Sequence, residues 1–407
     1  MRTVVTLAVA AGGWGIAAWL LLRTSVPSLQ LSGLDERHFF SAHALARSSR
    51  YSHGEQALWF GSTLATVTAL LVLARRLPRT VRSMGLGRIG SALIVGMVIL
   101  TTLWGVSLPF SLADLWWQHH WGLGPFGVLA WLDAQWATLG ATAVSAMLTI
   151  VLLVGTAGRF RRWWLIASPV FVAIAATFAF VGGWLGAAST QPIASVQLRA
   201  DVQQLEQVEH VRGTPVRVQQ VSGWTDQANA FTSGFGPSTH VVLWDTLLDG
   251  RFSRGEEDVV IAHELGHVRS RHIPKAIGLT ALLVLPTLWL LSLALRRRGG
   301  LGRPENLSYA FLVLTVLALL TAPLENLVSR RYEAEADWRA LNATRDPAST
   351  AKLFASFQRT SLEEPNPPLW DYLWLENHPT LMQRIAMARR WEARANDCRS
   401  RAATGCP

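Results

Sequence analysis

The sequence predicts a mainly α-helical membrane protein: seven spans and one small α+β insertion. Three observations lead there. Half of the residues are hydrophobic and only 16% are charged, below the charged share of a soluble domain. Seven stretches are long and nearly free of charge, at about 3–22, 57–74, 89–111, 137–157, 163–187, 276–295 and 305–323. A longer polar segment, 188–275, separates the fifth from the sixth. At about 1.5 Å of rise per residue, each apolar stretch can cross a hydrocarbon core of about 30 Å, some with tilt. No soluble domain needs seven such stretches, and 19 tryptophans suit a chain with two membrane interfaces to anchor.

The elements follow in order. The first stretch reads as a span rather than a cleaved leader, because only Met1 and Arg2 precede it and it is longer than a leader's apolar region. Residues 1–187 form a five-span block with short connections. His119-His120 sit among Trp116, Trp117 and Trp121 and read as an interfacial aromatic belt rather than a second metal site. Residues 188–275 are the insertion. Ser195–His210 reads as a helix, with Val196, Leu198, Val202 and Leu205 near helical spacing. Val216–Val221 alternates as a strand, and Ala230–Gly234 and His240–Trp244 read as two more strands around Gly236-Pro237. Residues 276–323 supply spans six and seven, and 324–407 a polar helical region interrupted by the loop Glu363–Pro368.

The net charge of +10 is carried almost wholly by arginine; the only lysines are Lys275 and Lys352. A basic balance can mark nucleic-acid binding, but these arginines sit at the edges of the spans, so topology accounts for them and no nucleic-acid partner is expected. Arg75, Arg76, Arg79, Arg82 and Arg88 fall between spans two and three. Arg159, Arg161 and Arg162 fall between four and five, and Arg296, Arg297, Arg298 and Arg303 between six and seven. Segment 112–136 has none. The rule that positive loops stay inside makes the arginine side cytoplasmic and turns 188–275 and the C-terminus outward, in the cell membrane. Cys398 and Cys406, the only cysteines, then read equally as a small disulfide or as two idle thiols in the tail.

Chemistry concentrates in VVIAHELGHVRSRH, where His263, Glu264 and His267 form H-E-x-x-H. On a helix the two histidines share one face and can reach one metal, while Glu264 can act as a base toward water. With 11 histidines in the chain, chance would produce this pattern in roughly one such chain per hundred. Val259, Val260, Ile261, Ala262, Leu265 and Val268 around it suit a buried helix. A catalytic zinc wants a third protein ligand. The best candidate lies in ENLVSRRYEAEADWRAL, where Glu333 and Asp337 share a helical face. Glu333 can ligate, Asp337 can hold a ligand histidine, and Glu335 points elsewhere. The blander reading of this cluster is a solvated acidic face paired with Arg330 and Arg331. His378, before Pro379, reads as a structural histidine or, beside a zinc site, as a donor to the oxyanion of a scissile carbonyl.

HELGH, SRRYEAEAD and HPTLMQRI, in that order, resemble the type I CAAX prenyl protease family of integral-membrane zinc metalloproteases. LPFSLADLWWQHHWGL from Leu108, QANAFTSGFG and HVVLWDTLL are similar to further segments of that family, so the resemblance spans most of the chain. It implies seven spans, one zinc ion held by His263, His267 and Glu333, and Glu264 as general base. It further implies that Asp337 supports the site and that Asn229 and His378 line the substrate cleft. The arginine-rich composition and compact loops point to a bacterial member.

Residues and resemblance together give a zinc metalloendopeptidase that hydrolyses peptide bonds with a zinc-activated water. The strand with Asn229, Ala230, Phe231 and Gly234 is expected to bind extended peptide or protein substrate by strand addition. A zinc-binding transporter or scaffold without hydrolase activity is the alternative. A transporter calls for charged or broken helices at mid-membrane and a structural zinc for four ligands, often cysteines; neither pattern is present.

Overall fold

A computed structural model describes residues 2–401 apart from 30, 32 and 82–84, and leaves aside the side chains of 2–11, 79–81, 399 and 401. Arg82 and Cys406 lie outside the described residues. In chain order the helices are α1 (Arg2–Leu22), α2 (Ala42–Val81), α3 (Arg88–His120), α4 (Val128–Arg159) and α5 (Trp163–Ala188). Strand β1 (Gln191–Pro192), α6 (Val196–Val208), β2 (Val216–Gln219), β3 (Ala230–Ser233) and β4 (His240–Trp244) follow. Then come α7 (Arg254–Ser270), α8 (His272–Arg296), α9 (Leu307–Thr344), α10 (Pro347–Thr360), α11 (Leu369–Trp374) and α12 (Leu381–Arg401).

Six helices among the described residues, α2, α3, α4, α5, α8 and α9, are long and apolar enough to cross a membrane. The protein is an integral membrane protein. The predicted first span lies on α1, a helix of 21 residues whose described part, Gly12–Leu22, is apolar. Helices run past the apolar windows: α3 continues to His120 and α4 begins at Val128, so most of segment 112–136 is helical rather than loop. There Trp116 and His120 stack at 5.3 Å, as in an aromatic belt. The chain divides into two compact units. The unit of 53–176 and 277–321 packs Leu70, Val95, Ile99, Ile150, Val154, Leu291 and Leu295 into its core. Its outer faces expose Leu64, Leu129, Trp136 and Val144, large apolar groups whose natural surround is lipid.

The unit of 1–52, 177–276 and 322–407 contains the insertion and the C-terminal helices. Its sheet has the order β1-β2-β4-β3. β2 runs parallel to β4, with Val216 opposite Val241; β3 runs antiparallel to β4, with Ala230 opposite Leu243. β2 ends at Gln219, short of the predicted Val221, because the Val221 and Ser222 amides donate to the Asp245 carboxylate instead of a neighbouring strand. The strand β1 escapes prediction: two residues, one of them proline, carry no alternation to read. Leu198, Val202 and Leu205 of α6 pack into one core with Val241 and Leu243 of β4, Leu353 and Phe354 of α10 and Ile385 of α12. That core surrounds α7, which is buried on nearly every side.

Ser253 starts α7 through a capping box with Glu256. Glu256 is buried, and its carboxylate accepts from the Ser253 amide at 2.8 Å, the Ser253 hydroxyl at 2.6 Å and Lys352 at 2.9 Å on α10. Burial favours the neutral acid, yet these donors together hold the carboxyl below its ordinary value of 4.5. A depressed folded-state value stabilises the fold above pH 4.5, and that stability is lost as pH falls through the folded value. Glu256→Gln is therefore expected to lower the apparent melting temperature in detergent by about 2–4 °C at pH 7. The gap to the unaltered protein should close in acid. A gap of the same size below pH 4.5 would assign the effect to shape rather than charge.

Candidate metal centre

One close crossing builds the centre. Gly266 of α7 faces Ala336 of α9, and a β-carbon at Gly266 would stand 3.4 Å from the Ala336 Cα and 3.2 Å from the Arg339 Cβ. Small residues at both positions let the two backbones approach, which sets His263 and His267 opposite Glu333. The imidazole Nε2 atoms lie 3.0 Å apart. Glu333 Oε2 lies 3.2 Å from His263 Nε2, and Oε1 lies 3.5 Å from His267 Nε2. One ligand atom from each residue falls within 4.8 Å of the others, and no other such group occurs among the described residues.

These residues fit a metal ion. Glu333 Oε2 is buried and has no hydrogen bond of good geometry, although the Nε2 atoms of His263 and His378 lie 3.2 Å from it and His267 Nε2 faces the same carboxylate. A buried carboxylate oxygen left in that state is costly unless a cation engages it. Two imidazoles and one carboxylate are a donor set of catalytic zinc. The local charge agrees. Burial opposes a positive His263, but Asp337 and Glu333 outweigh it and push its pKa up to about 10.

Asp337, one helical turn beyond Glu333, takes the other side of His263. His263 Nδ1 lies 2.8 Å from Asp337 Oδ1, so an N–H there donates to the carboxylate and Nε2 is left to ligate. Arg384 of α12 clamps the same carboxylate through two bonds, at 2.8 Å and 2.7 Å. All three are buried, so the ion pair offsets the cost of removing Asp337 from water.

Glu264 sits outside the ligand set, in the wall of a cavity of about 300 Å³ that also includes His263, Asn229, Ala230, His378 and Arg384. Thr232 Oγ1, from β3, lies 2.9 Å from Glu264 Oε2 and ties the sheet edge to this carboxylate. His378 Nε2 lies 3.2 Å from Glu333 Oε2, and Nδ1 lies 2.6 Å from Asn377 Oδ1. Burial works against a charge on His378, but Glu333 outweighs it and raises its pKa. Two further acids line the cavity: Glu363 is raised by burial, and Glu376 is pushed up to about 7 by burial and then by Glu363 and Asp371.

β3 is the terminal strand of the sheet beside this cavity. Asn229 immediately precedes it, with Phe231 exposed. Gly234 ends it at φ +74°, where a β-carbon would fall 2.2 Å from the Ser238 carbonyl oxygen, so only glycine makes this turn. Beyond it, Gly234 and Phe235 line a second cavity of about 260 Å³ that reaches His267.

His263, Glu264, His267, Glu333, Asp337 and His378 thus gather in one place with Asn229 and Ala230 beside them, while Gly234 lines the second cavity and Phe231 lines neither. Reasoning from sequence missed Thr232, Glu363, Glu376 and His272, and assigned no role to Arg384. Only His272 carried a usable signal, as a third histidine five residues after His267. The tail cysteine Cys398 is disulfide-bonded.

The profile of peptidase family M48 matches residues 193–392. A protease HtpX homologue of Pseudarthrobacter chlorophenolicus is 30% identical over 261 residues, 62% of this chain and 83% of that protein. A CAAX prenyl protease 1 homologue of rice is 29% identical over 171 residues, 40% of each chain. The chain spans about half the length, or less, of some curated relatives it matches. The crystal structure of S. mikatae Ste24p superimposes with a TM-score of 0.71 at 18% identity, covering 94% of this chain and 97% of the other, and shows a shared fold. The fold shared with Ste24p, an H-E-x-x-H helix crossed by a glutamate-bearing helix, and these sequence matches agree: the chain belongs to peptidase family M48.

Proposed function

We propose that this chain is a membrane zinc endopeptidase that hydrolyses extended segments of peptide or protein substrates. One observation carries the reading: the Glu264 carboxylate lines the cavity beside His263 and is not itself drawn into the His263–His267–Glu333 set. A structural metal site has no use for a base held next to it but outside its ligands.

His263, His267 and Glu333 hold the ion. Zinc bound there supplies Lewis acidity toward the scissile carbonyl and makes water easier to deprotonate. Glu264 takes a proton from the attacking water at its carboxylate. As the water oxygen joins the carbonyl carbon, His378 donates from Nε2 toward the carbonyl oxygen that gains charge. Glu264 then passes its proton to the amide nitrogen, the C–N bond breaks, and amine and carboxylate products leave. Asp337, held by Arg384, keeps His263 in the tautomer that ligates through Nε2. Substrate backbone adds to β3 along Asn229, Ala230, Phe231 and Gly234, between the two cavities. Strand addition demands an extended segment, so folded substrates are cut only where they open. The arginines between spans support an orientation with this machinery on the outer face of the cell membrane.

Glu264→Gln is expected to bind zinc at full stoichiometry and to lose about 10²–10⁴-fold in turnover of an unfolded protein substrate. Normal turnover by the zinc-loaded variant would remove Glu264 as base, and an unaltered protein that binds zinc without cutting would favour a transporter or scaffold. Glu333→Ala should emerge from dialysis without zinc; retained metal would move the third ligand elsewhere. Sidedness is tested in cells by labelling Gly223→Cys and Gly87→Cys, each in a Cys398→Ser, Cys406→Ser background, with an impermeant thiol reagent. Both positions are exposed. Gly223→Cys should label and Gly87→Cys should not, and the opposite pattern would turn the catalytic domain to the cytosol.

A further inference from the structure

We infer that His272 and Glu335 orient the ligand His267, doing through a second histidine what Asp337 does directly for His263. The inference rests on the zinc reading above. Each ligating imidazole has one nitrogen toward the ion and one turned away, and the partner of the second nitrogen sets tautomer and ring angle. For His263 that partner is Asp337, at 2.8 Å. For His267 it is not a carboxylate. His267 Nδ1 lies 2.8 Å from His272 Nδ1, and His272 Nε2 lies 3.1 Å from Glu335 Oε2.

The direction of this chain is forced. When His267 ligates through Nε2, its proton must sit on Nδ1, and that N–H donates to His272 Nδ1. His272 then carries its own proton on Nε2 and donates it to Glu335. A carboxylate at the far end is what keeps His272 in the accepting tautomer. Glu335 is itself fixed. It is buried, its Oε1 accepts from the Ser25 amide at 2.7 Å, and Lys275 Nζ lies 3.5 Å from Oε2. The His272 ring lies flat on Tyr332, with centroids 4.6 Å apart and planes 9° apart, so it has little room to turn.

A break in the helix makes this contact possible. On a continuous α-helix, residues five apart point about 140° away from each other. Here Arg271 takes the left-handed conformation at φ 55° and ψ 44°, closing α7 by donating its amide to Val268. The next residue, His272, opens α8 and swings back over His267. Glu335 therefore points away from the ion, as its place on the helix predicts, and still reaches the ion's ligand through one imidazole.

Zinc affinity of the full-length protein in detergent, measured by chelator competition, tests this together with melting of the zinc-free protein. Glu335→Ala should weaken zinc binding by about 10–100-fold. Glu335→Gln keeps an acceptor oxygen and should recover most of that loss. His272→Phe keeps the stacking on Tyr332 but removes both nitrogens, and should match Glu335→Ala. The double variant should be no weaker than either single one, because both changes cut the same chain. If Glu335→Ala does not fold, His272→Phe and its combination with Glu335→Gln read the same link. Unchanged zinc affinity in the folded variants, with only a lower melting temperature, would reduce the pair to a packing role; additive losses would also overturn the inference. Because affinity is read without turnover, a protein that binds zinc but cuts nothing would sink the peptidase reading and leave this test intact.

Discussion

Everything at the centre depends on how closely α7 and α9 approach at Gly266 and Ala336. The imidazoles of His263 and His267 are short, rigid groups, and the carboxylate of Glu333 reaches them only where the two helices pack closely. A larger side chain at Gly266 has Ala336 backbone on its far side, which cannot yield as a flexible side chain could. Burial of most of α7 then holds the register, since α6, β4, α10 and α12 share one core around it.

Such a crossing buries charge, and the surrounding residues are arranged to offset that. Asp337 is paired with Arg384, Glu335 with Lys275 and His272, and Glu256 with Lys352. Glu333 differs: one of its oxygens is buried and has no hydrogen bond of good geometry. With the Nε2 atoms of His263 and His378 each 3.2 Å from that oxygen, imidazoles and carboxylate converge where a cation belongs. The same logic separates the roles of neighbouring glutamates. Glu264 is held by the Thr232 hydroxyl rather than by a cation, outside the ligand set.

Much of this was legible in the residues. H-E-x-x-H and the Glu333–Asp337 spacing depend only on helical periodicity, which a sequence states directly. The spans follow from length and hydropathy, β2 and α6 from alternation and spacing, and β3 and β4 from the turn at Gly236-Pro237 between them. What escaped depends on geometry between distant segments. The bond from Arg384 to Asp337 crosses 47 positions, and the one from Thr232 to Glu264 crosses 32. The link from His267 to Glu335 was hidden for a different reason: it needs Arg271 in a left-handed conformation, which an arginine does not announce. Glu335 was set aside because it faces away from Glu333, yet what lies on that side of α9 could not be read from α9 alone. Helix ends were also misjudged, since α3 and α4 continue into residues too polar for an apolar window.

The central claim is that two imidazoles and one carboxylate from crossing helices hold a catalytic zinc ion. Zinc-edge X-ray absorption on the purified protein tests it most directly. The account predicts two nitrogen scatterers from imidazole at about 2.0–2.1 Å, with light oxygen donors completing the shell and no sulfur. A shell of four protein ligands closed against water, or one containing thiolate at about 2.3 Å, would contradict it.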